Sequence, residues 1–167
     1  YFPSSFDSAL VITQDGRGDL HSGSFYRGEN LKLELEKFQS SSNSLAQLYA
    51  GVTLFLGFKP LRHEGKITGL AAFGKDSDLR KKIESLFSID ESGNIKKILL
   101  QKDDMPLDTL GIDKFTSNKL ASSPNEYKDY NEFGIAFQFW LKKNAQDMPR
   151  EDVAYAIQIA TENIVVR

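Results

Sequence analysis

The sequence predicts a mixed α/β chain, an α+β fragment in which an antiparallel β-meander is followed by helices. Three observations indicate this fold class. Short apolar or alternating runs separated by glycine and asparagine occupy residues 1–40, which is the pattern of strands joined by tight turns. From residue 43 onward, apolar residues recur every three or four positions, as on one face of a helix. The length of 167 residues is enough for one domain with its own core.

Composition limits the classes of partner. The chain is 40% hydrophobic and 26% charged, with a net charge of −2, as in ordinary globular proteins. A nucleic-acid partner is not predicted, because such proteins carry a basic patch or stripe. A membrane partner is not predicted either, because no apolar run is long enough to span a bilayer. The lack of cysteine excludes disulfides and thiol nucleophiles and is consistent with a cytoplasmic location.

Three strands are predicted in the meander. Residues 9–13 form an apolar run between polar residues, which is typical of a buried strand. Residues 22–26 and 31–38 form the next two strands, joined by a turn at residues 27–30. The third strand alternates leucine with charged residues, so one of its faces is expected to be solvated.

The segment DGRGD at residues 15–19 has two interpretations. It is a hairpin turn in which glycine takes the strained positions, a common use of Asp-Gly. Alternatively, the backbone N–H groups of Gly16 and Gly18 cradle an anion beside the carboxylate of Asp15.

The helical region at residues 43–87 has clear boundaries. Ser44 is predicted to cap a helix, with Gln47 completing a capping box, and Gly57 is predicted to end that helix. The apolar face of this helix is formed by Leu45, Leu48, Tyr49, Val52 and Leu56. A further helix at residues 77–86 and a small hairpin around residues 91–93 follow.

A second helix opens with the segment HEGK at residues 63–66, after a bend at Pro60. Ile67, Leu70 and Ala71 are its apolar positions, and it is flanked or interrupted by Gly65, Gly69 and Gly74. Each glycine inside a helix costs roughly 1 kcal/mol relative to alanine, which suggests close approach of another backbone or of a ligand.

The charged residues at this helix entrance also have two interpretations. Arg62 and Lys66 are suited to bind phosphate, and Glu64 is suited to act as an acid, a base or a ribose acceptor. The alternative is a solvated Glu–Lys pair, with Glu64 favoured by the helix dipole. His63 and His21 are each solitary in the sequence, so neither predicts a metal site.

The remainder is predicted to be a polar loop or insertion at residues 101–130, followed by helices at 131–167. The first of these helices, at 131–143, carries an apolar stripe; the last begins at Pro149. Their predicted inward residues are Phe133, Phe137, Trp140 and Leu141, then Val153, Ile157, Ala160 and Ile164. Because the chain begins with Tyr-Phe-Pro and its last helical pattern lacks a stop, we expect a piece of a longer protein.

Two motifs carry a family resemblance. S-L-x-x-L-Y-x-x-V-T-x-x-L-G-F-x-P begins at Ser44, and E-G-K-x-x-G-L-A-x-F-G begins at Glu64. Together with the opening YFPSSFD and the strand and turn at residues 9–19, they resemble the nodulation-type O-carbamoyltransferase family. The resemblance covers residues 1–74 well and the remainder only in general helical character.

The resemblance implies a single partial domain at residues 1–167, part of one lobe of an actin-like ATPase (ribonuclease H-like) fold. It implies an enzyme that makes carbamoyl-adenylate from carbamoyl phosphate and ATP, then passes the carbamoyl group to a hydroxyl of a sugar or natural product. It also implies a divalent metal (iron, magnesium or manganese), held by histidines that would precede Tyr1, so no metal ligand is expected within this chain. We therefore expect the fragment to be inactive alone.

The resemblance also suggests roles for individual residues. Asp15, Glu64 and Lys66 are the catalytic candidates, with Lys66 offsetting phosphate charge and Glu64 holding a ribose or carbamoyl group. The substrate- or phosphate-binding candidates are Gly16, Gly18, Arg62 and Gly65. Two alternatives remain: a threonylcarbamoyl-adenosine synthase-like enzyme acting on tRNA, and a non-catalytic interaction domain of actin-like fold.

Overall fold

The computed structural model describes residues 1–18, 21–97 and 124–166, with side chains described from residue 133 in the last range. Contacts divide the chain into two compact units, Tyr1–Ala46 and Gln47–Arg167. The predicted mixed composition of antiparallel strands and helices is confirmed. No helix in the described ranges is both long and apolar enough to cross a membrane.

The first unit is the predicted meander. Its strands β1 (Ser8–Gly18), β2 (His21–Glu29) and β3 (Lys32–Ser40) pair antiparallel in the order β1-β2-β3. All three strands are longer than predicted, because the ladder continues through residues that the sequence assigned to turns. A single 3₁₀ turn, Ser41–Asn43, follows the sheet.

The prediction of a buried strand at residues 9–13 is wrong. Leu10 is 65% exposed and Ile12 is 43% exposed. The register places Leu10 opposite Arg27, so Leu10 lies on a face of the sheet that it shares with charged residues. An apolar run was therefore not enough to indicate a covered strand.

Asp15 and Gly18 lie inside β1 rather than in a turn. The register of β1 and β2 shifts between Gln14 and Gly18, and Gly18 pairs with His21. The antiparallel pairing is that of the predicted hairpin, but the prediction that its glycines take strained positions is wrong: neither Gly16 nor Gly18 has a positive φ, and residues 15–18 form an irregular strand end. Asp19, the last residue of the predicted turn, lies outside the described residues.

Helices and a second small sheet make up the rest of the chain. The elements are α1 (Ala46–Phe55), α2 (Glu64–Ala71), α3 (Asp78–Glu84), β4 (Phe87–Ile89), β5 (Ile95–Lys97), α4 (Pro124–Ala145) and α5 (Arg150–Val165). The helix α4 begins earlier than the predicted residue 131, with a proline at its first position, where the missing N–H is not needed. Most of the predicted polar loop, residues 101–123, lies outside the described residues.

The predicted capping box at the start of α1 is replaced by other contacts. Ser44 Oγ accepts a hydrogen bond from the N–H of Ala46, as a capping side chain does. The N–H of Ser44, however, donates to the carbonyl of Ser41, and Gln47 Oε1 accepts from Lys97 Nζ. Gln47 is only 1% exposed, so its side-chain oxygen needs a hydrogen-bond partner within the protein, and Lys97 supplies one.

The core of the second unit lies around α5, which packs against both α2 and α3. Its predicted inward residues, Val153, Ile157, Ala160 and Ile164, are all buried. The buried apolar residues of the other helices include Leu48, Val52, Ile67, Ala71, Leu79, Ile83, Phe137 and Leu141. This core holds α2 with Ile67 inward and leaves the opposite face of α2 outward.

Candidate functional site

The end of α1 sets the shape of the loop that leads to α2. Gly57 has a φ of +75°, its N–H donates to Leu54 O at 3.0 Å, and the N–H of Phe58 donates to Thr53 O at 2.8 Å. This pair of hydrogen bonds is the Schellman motif, in which a left-handed residue ends a helix. The predicted stop at Gly57 is confirmed, and it places Phe58 directly beyond the helix end.

Glu64 and His63 hold the next part of the loop. The N–H of Leu61, whose φ is +62°, donates to Glu64 Oε1 at 2.5 Å. The N–H of Lys59 donates to His63 Nδ1 at 3.2 Å, and the N–H of His63 donates back to Lys59 O at 3.1 Å. Both side chains therefore fix the backbone immediately before α2.

Cationic side chains gather around the ring of Phe58. Lys66 Nζ lies 5.2 Å from the ring centre and Arg150 Cζ lies 4.7 Å from it. The ring of His63 meets Phe58 edge-on, with 6.2 Å between ring centres. We call these four residues the Phe58 cluster. Arg62, the other predicted phosphate-binding side chain, is exposed in the adjoining loop.

The positive charges of the Phe58 cluster have no acidic counterpart at close range. Arg150 Nη2 donates to the carbonyl oxygen of Leu56 at 2.9 Å, which is a neutral acceptor. The ion pairs within the described ranges involve other cations, so neither Lys66 nor Arg150 has a described carboxylate within 4.0 Å. Neither cation of the cluster is therefore in an ion pair with a described acid.

The glycines within α2 and just after its end differ in whether other parts of the chain lie close to them. A Cβ added to Gly74 would meet the backbone of Glu151 and would lie 2.6 Å from Tyr155 Cβ, which confirms close approach of another backbone there. At Gly65 and Gly69, an added Cβ would meet no described atom within 4 Å. The face of α2 beside Lys66 is thus bare backbone that no described part of the chain covers.

The segment around Asp15, in the first unit, has its own local order. Asp15 Oδ1 accepts a hydrogen bond from the N–H of Gly16 at 2.6 Å, and Asp15 O accepts one from Ser44 Oγ at 3.4 Å. A Cβ added to Gly18 would lie 3.4 Å from Asp15 Oδ2. The carboxylate of Asp15 thus lies over the glycine backbone, and phosphate binding by Gly16 and Gly18 stays a prediction.

A metal centre is not formed by the described residues. Within residues 1–18, 21–97 and 124–166, no three His, Asp or Glu side chains are placed to hold a metal ion together. The divalent metal that the resemblance implies, with no ligand expected in this chain, stays a prediction.

Sequence reasoning missed Phe58 and Arg150 as site residues. Phe58 belongs to the first family motif, and Arg150 follows the proline that begins the predicted last helix, but the sequence assigned a binding role to neither. Nothing in local spacing links Arg150 to Lys66, because they belong to different helices. The packing of α5 against α2 brings them to the same ring.

Comparison with known proteins gives the family. The chain matches the profile described as Carbamoyltransferase N-terminus over residues 1–167. It is 26% identical to the uncharacterized protein sll1178 of Synechocystis over 100% of its own length and 25% of that relative. It is 29% identical to nodulation protein NolNO of Sinorhizobium fredii over 56% of the chain and 14% of that relative. The uncharacterized protein MJ1051 of Methanocaldococcus jannaschii is 36% identical over 46% of the chain and 15% of that relative.

The chain thus spans a quarter or less of the length of each of these relatives. The match to the family profile nevertheless extends over every residue of the chain, and it agrees with the resemblance read from the two motifs. The chain therefore belongs to the carbamoyltransferase N-terminus family.

Proposed function

We propose that the protein containing this chain is an O-carbamoyltransferase. It forms carbamoyl-adenylate from carbamoyl phosphate and ATP, with phosphate and pyrophosphate as the other products: water cleaves carbamoyl phosphate to carbamate and phosphate, and the carbamate oxygen attacks the α-phosphorus of ATP and displaces pyrophosphate. The carbamoyl group then passes to a hydroxyl of a sugar or natural product, in the cytoplasm and on an actin-like fold. Family membership supports carbamoyl transfer in general. The main support for placing the substrate in this region is the face of α2 beside Lys66, where Gly65 and Gly69 leave the backbone uncovered.

The helix entrance is suited to an anionic substrate. Lys66 and Arg62 are exposed cations, and Gly65 lets a ligand approach the backbone between them. We propose that they offset phosphate charge, which otherwise repels an incoming nucleophile. Glu64 would act by holding the loop at Leu61, in addition to any contact with the ribose or carbamoyl group.

Asp15, Gly16 and Gly18 remain the candidates of the first unit. The hydrogen bond from the N–H of Gly16 orients the carboxylate of Asp15, as a positioned catalytic group requires. In the transfer step, the hydroxyl oxygen of the acceptor bonds to the carbamoyl carbon while the bond to the adenylate oxygen breaks and AMP leaves. No described residue is assigned as the base that takes the hydroxyl proton.

The test uses the complete polypeptide and the exchange of labelled pyrophosphate into ATP. Exchange that requires carbamoyl phosphate is the expected result, and its absence would contradict the proposed function. The variant Gly69→Ala probes the site, because the added methyl group would occupy the open face without meeting the described chain. We expect a Michaelis constant for carbamoyl phosphate raised about tenfold, which corresponds to roughly 1.4 kcal/mol of binding.

Thr68→Ala is the matched control, because it lies on the same helix, is exposed, and adds no atom to the open face. Its Michaelis constant should equal that of the unmodified protein. Unchanged kinetics in Gly69→Ala would remove the α2 face from the proposed site while leaving carbamoyl transfer itself untouched.

A further inference from the structure

We propose that Lys66 and Arg150 together form a binding site for the phosphate group of a small molecule, built on the ring of Phe58. The site rests on the proposed function only in treating that molecule as a substrate. Arg150 is the new member: it comes from the start of α5, outside both sequence motifs, and only the folded chain brings it to the helix entrance.

The first argument is the convergence of like charges. Lys66 Nζ and Arg150 Cζ lie 5.2 and 4.7 Å from the same ring centre, so they are at most about 10 Å apart, close to one Debye length (~10 Å) at 0.1 M salt. No described carboxylate lies within 4.0 Å of either group, so neither group forms a described ion pair. A dianion bound next to both groups would interact favourably with each and would offset their mutual repulsion.

The second argument is that the guanidinium of Arg150 is held in place with donors to spare. Arg150 Nη2 donates to Leu56 O at 2.9 Å, and the guanidinium lies over Phe58. Arginine has five N–H donors in a fixed planar arrangement, and the carbonyl of Leu56 takes one of them. The fork that remains matches the oxygen geometry of a phosphate, and its orientation is set before a ligand arrives.

The third argument concerns Glu64 and Asp152, two of the neighbouring acids, each of which accepts a hydrogen bond from a backbone N–H group. Glu64 Oε1 accepts from the N–H of Leu61, and Asp152 Oδ1 accepts from the N–H of Lys75 at 2.8 Å. The open backbone of Gly65 lies next to Lys66. An anion can therefore reach Lys66 without displacing a carboxylate or a side chain of α2.

The competing explanation is that each cation only packs on an aromatic ring, a contact worth about 0.5–1 kcal/mol at exposed sites. The chain contains a matched example, since Lys142 Nζ lies 4.9 Å from the ring centre of Phe139. That pair involves residues of a single helix, so Lys142→Gln removes an exposed lysine–aromatic contact outside the Phe58 cluster.

The experiment is calorimetric titration of the complete polypeptide with inorganic phosphate at low ionic strength. We compare the unmodified protein with Lys66→Gln, Arg150→Gln and the double variant, and with Lys142→Gln as the control. Each single variant should raise the dissociation constant for phosphate about tenfold, as expected for loss of a charge-assisted contact. The double variant should abolish the binding event, and the control should leave it unchanged.

Absence of phosphate binding by the unmodified protein would overturn the site, and so would unchanged affinity in either single variant. A purely structural role would lower the melting temperature of the variants without changing the dissociation constant.

Pyrophosphate exchange separates the two proposals. Phosphate affinities that fall as expected without any carbamoyl-phosphate-dependent exchange would retain the site and reject the proposed function. Normal exchange together with an unchanged dissociation constant for phosphate in Arg150→Gln would reject the site and retain the proposed function.

Discussion

At the scale of single residues, the glycines of this chain differ in what surrounds them. A Cβ added to Gly51 would lie 2.7 Å from Gly134 O and 2.8 Å from Phe137 Cδ1, so α1 and α4 approach each other at this point. The same atom added to Gly69 would meet no described atom. Glycine at position 51 is therefore required by packing, whereas packing gives no reason for glycine at position 69.

The first prediction is that Gly51→Ala lowers the free energy of unfolding by about 1–3 kcal/mol, the usual cost of overpacking. The helices must separate, because neither a backbone carbonyl nor a buried ring gives way easily. Gly69→Ala is the control and should raise the free energy of unfolding by up to about 1 kcal/mol through helix propensity. Urea denaturation measures both, and equal effects of the two variants would contradict this reading.

Glu64 illustrates the limit of residue-level reasoning about function. Its position at the start of α2 suggested an acid, a base or a ribose acceptor, or a solvated pair with Lys66. In the structure its carboxylate accepts a hydrogen bond from the N–H of Leu61, a residue of positive φ, while a role of Glu64 in ligand binding stays a prediction. A sequence indicates the chemical type of a side chain at a position, but its partner depends on how the loop folds.

At the scale of elements, the turn between β2 and β3 stores local strain. Its two central residues, Asn30 and Leu31, have φ values of 49° and 58°. Hairpin turns of this kind favour residues that tolerate positive φ, as asparagine does and leucine does not. Leu31 is 75% exposed, so little apolar burial compensates for its conformation.

The second prediction is that Leu31→Gly raises the free energy of unfolding by up to about 1 kcal/mol. Glycine adopts the left-handed conformation without the steric cost that leucine has there, which stabilises the folded chain. Part of this stabilisation is lost because glycine has more conformational freedom in the unfolded chain. The control is Leu33→Gly, which makes the same chemical change inside β3 and should destabilise. Thermal unfolding of the two variants tests the prediction, and a lower melting temperature for Leu31→Gly would refute it.

The small hairpin of β4 and β5 shows an element whose turn the sequence located correctly. Asp90 Oδ1 accepts hydrogen bonds from the N–H groups of Ser92 and Asn94, and Gly93 takes the position of positive φ. The hydrogen bonds from Asn94, followed by the charge of Lys96, hold the pKa of the Asp90 carboxyl below its usual range. Its stabilising contribution is therefore present near neutral pH and is lost as the pH falls through the lowered pKa.

At the scale of the larger unit, Gln47–Arg167, Tyr49 connects the first helix to the last. Its hydroxyl donates a hydrogen bond to Gln158 Oε1, and Gln158 Nε2 donates to Glu162 Oε1. Burial, aided by the negative charge of Glu162, raises the pKa of Tyr49. Tyr49, which the sequence placed on the apolar face of this helix, is thus part of a contact between segments far apart in the chain.

The third prediction is that Tyr49→Phe lowers the free energy of unfolding by about 1 kcal/mol, the net worth of one hydrogen bond. Because the pKa of Tyr49 is raised, its contribution is complete at neutral pH and declines as the pH rises through the tyrosine range, so the variant should also flatten that decline. Tyr155→Phe on α5 makes the same change at a hydroxyl without a described partner. Equal losses of stability in the two variants would argue against the Gln158 contact.

The features of this protein that its sequence predicts correctly are those set by local chemistry. The apolar faces of the helices, the stop at Gly57 and the small hairpin follow from short-range spacing, because helix and strand periods and turn residues act over a few positions. The family was indicated by the resemblance of the two motifs that begin at Ser44 and Glu64. The exposure of Leu10, the two kinds of glycine in the helices, and the meeting of Arg150 with Lys66 on Phe58 could not be read in that way. They depend on which distant segments pack together, and the free energy of such packing is set by shapes and burial that exist only in the folded chain.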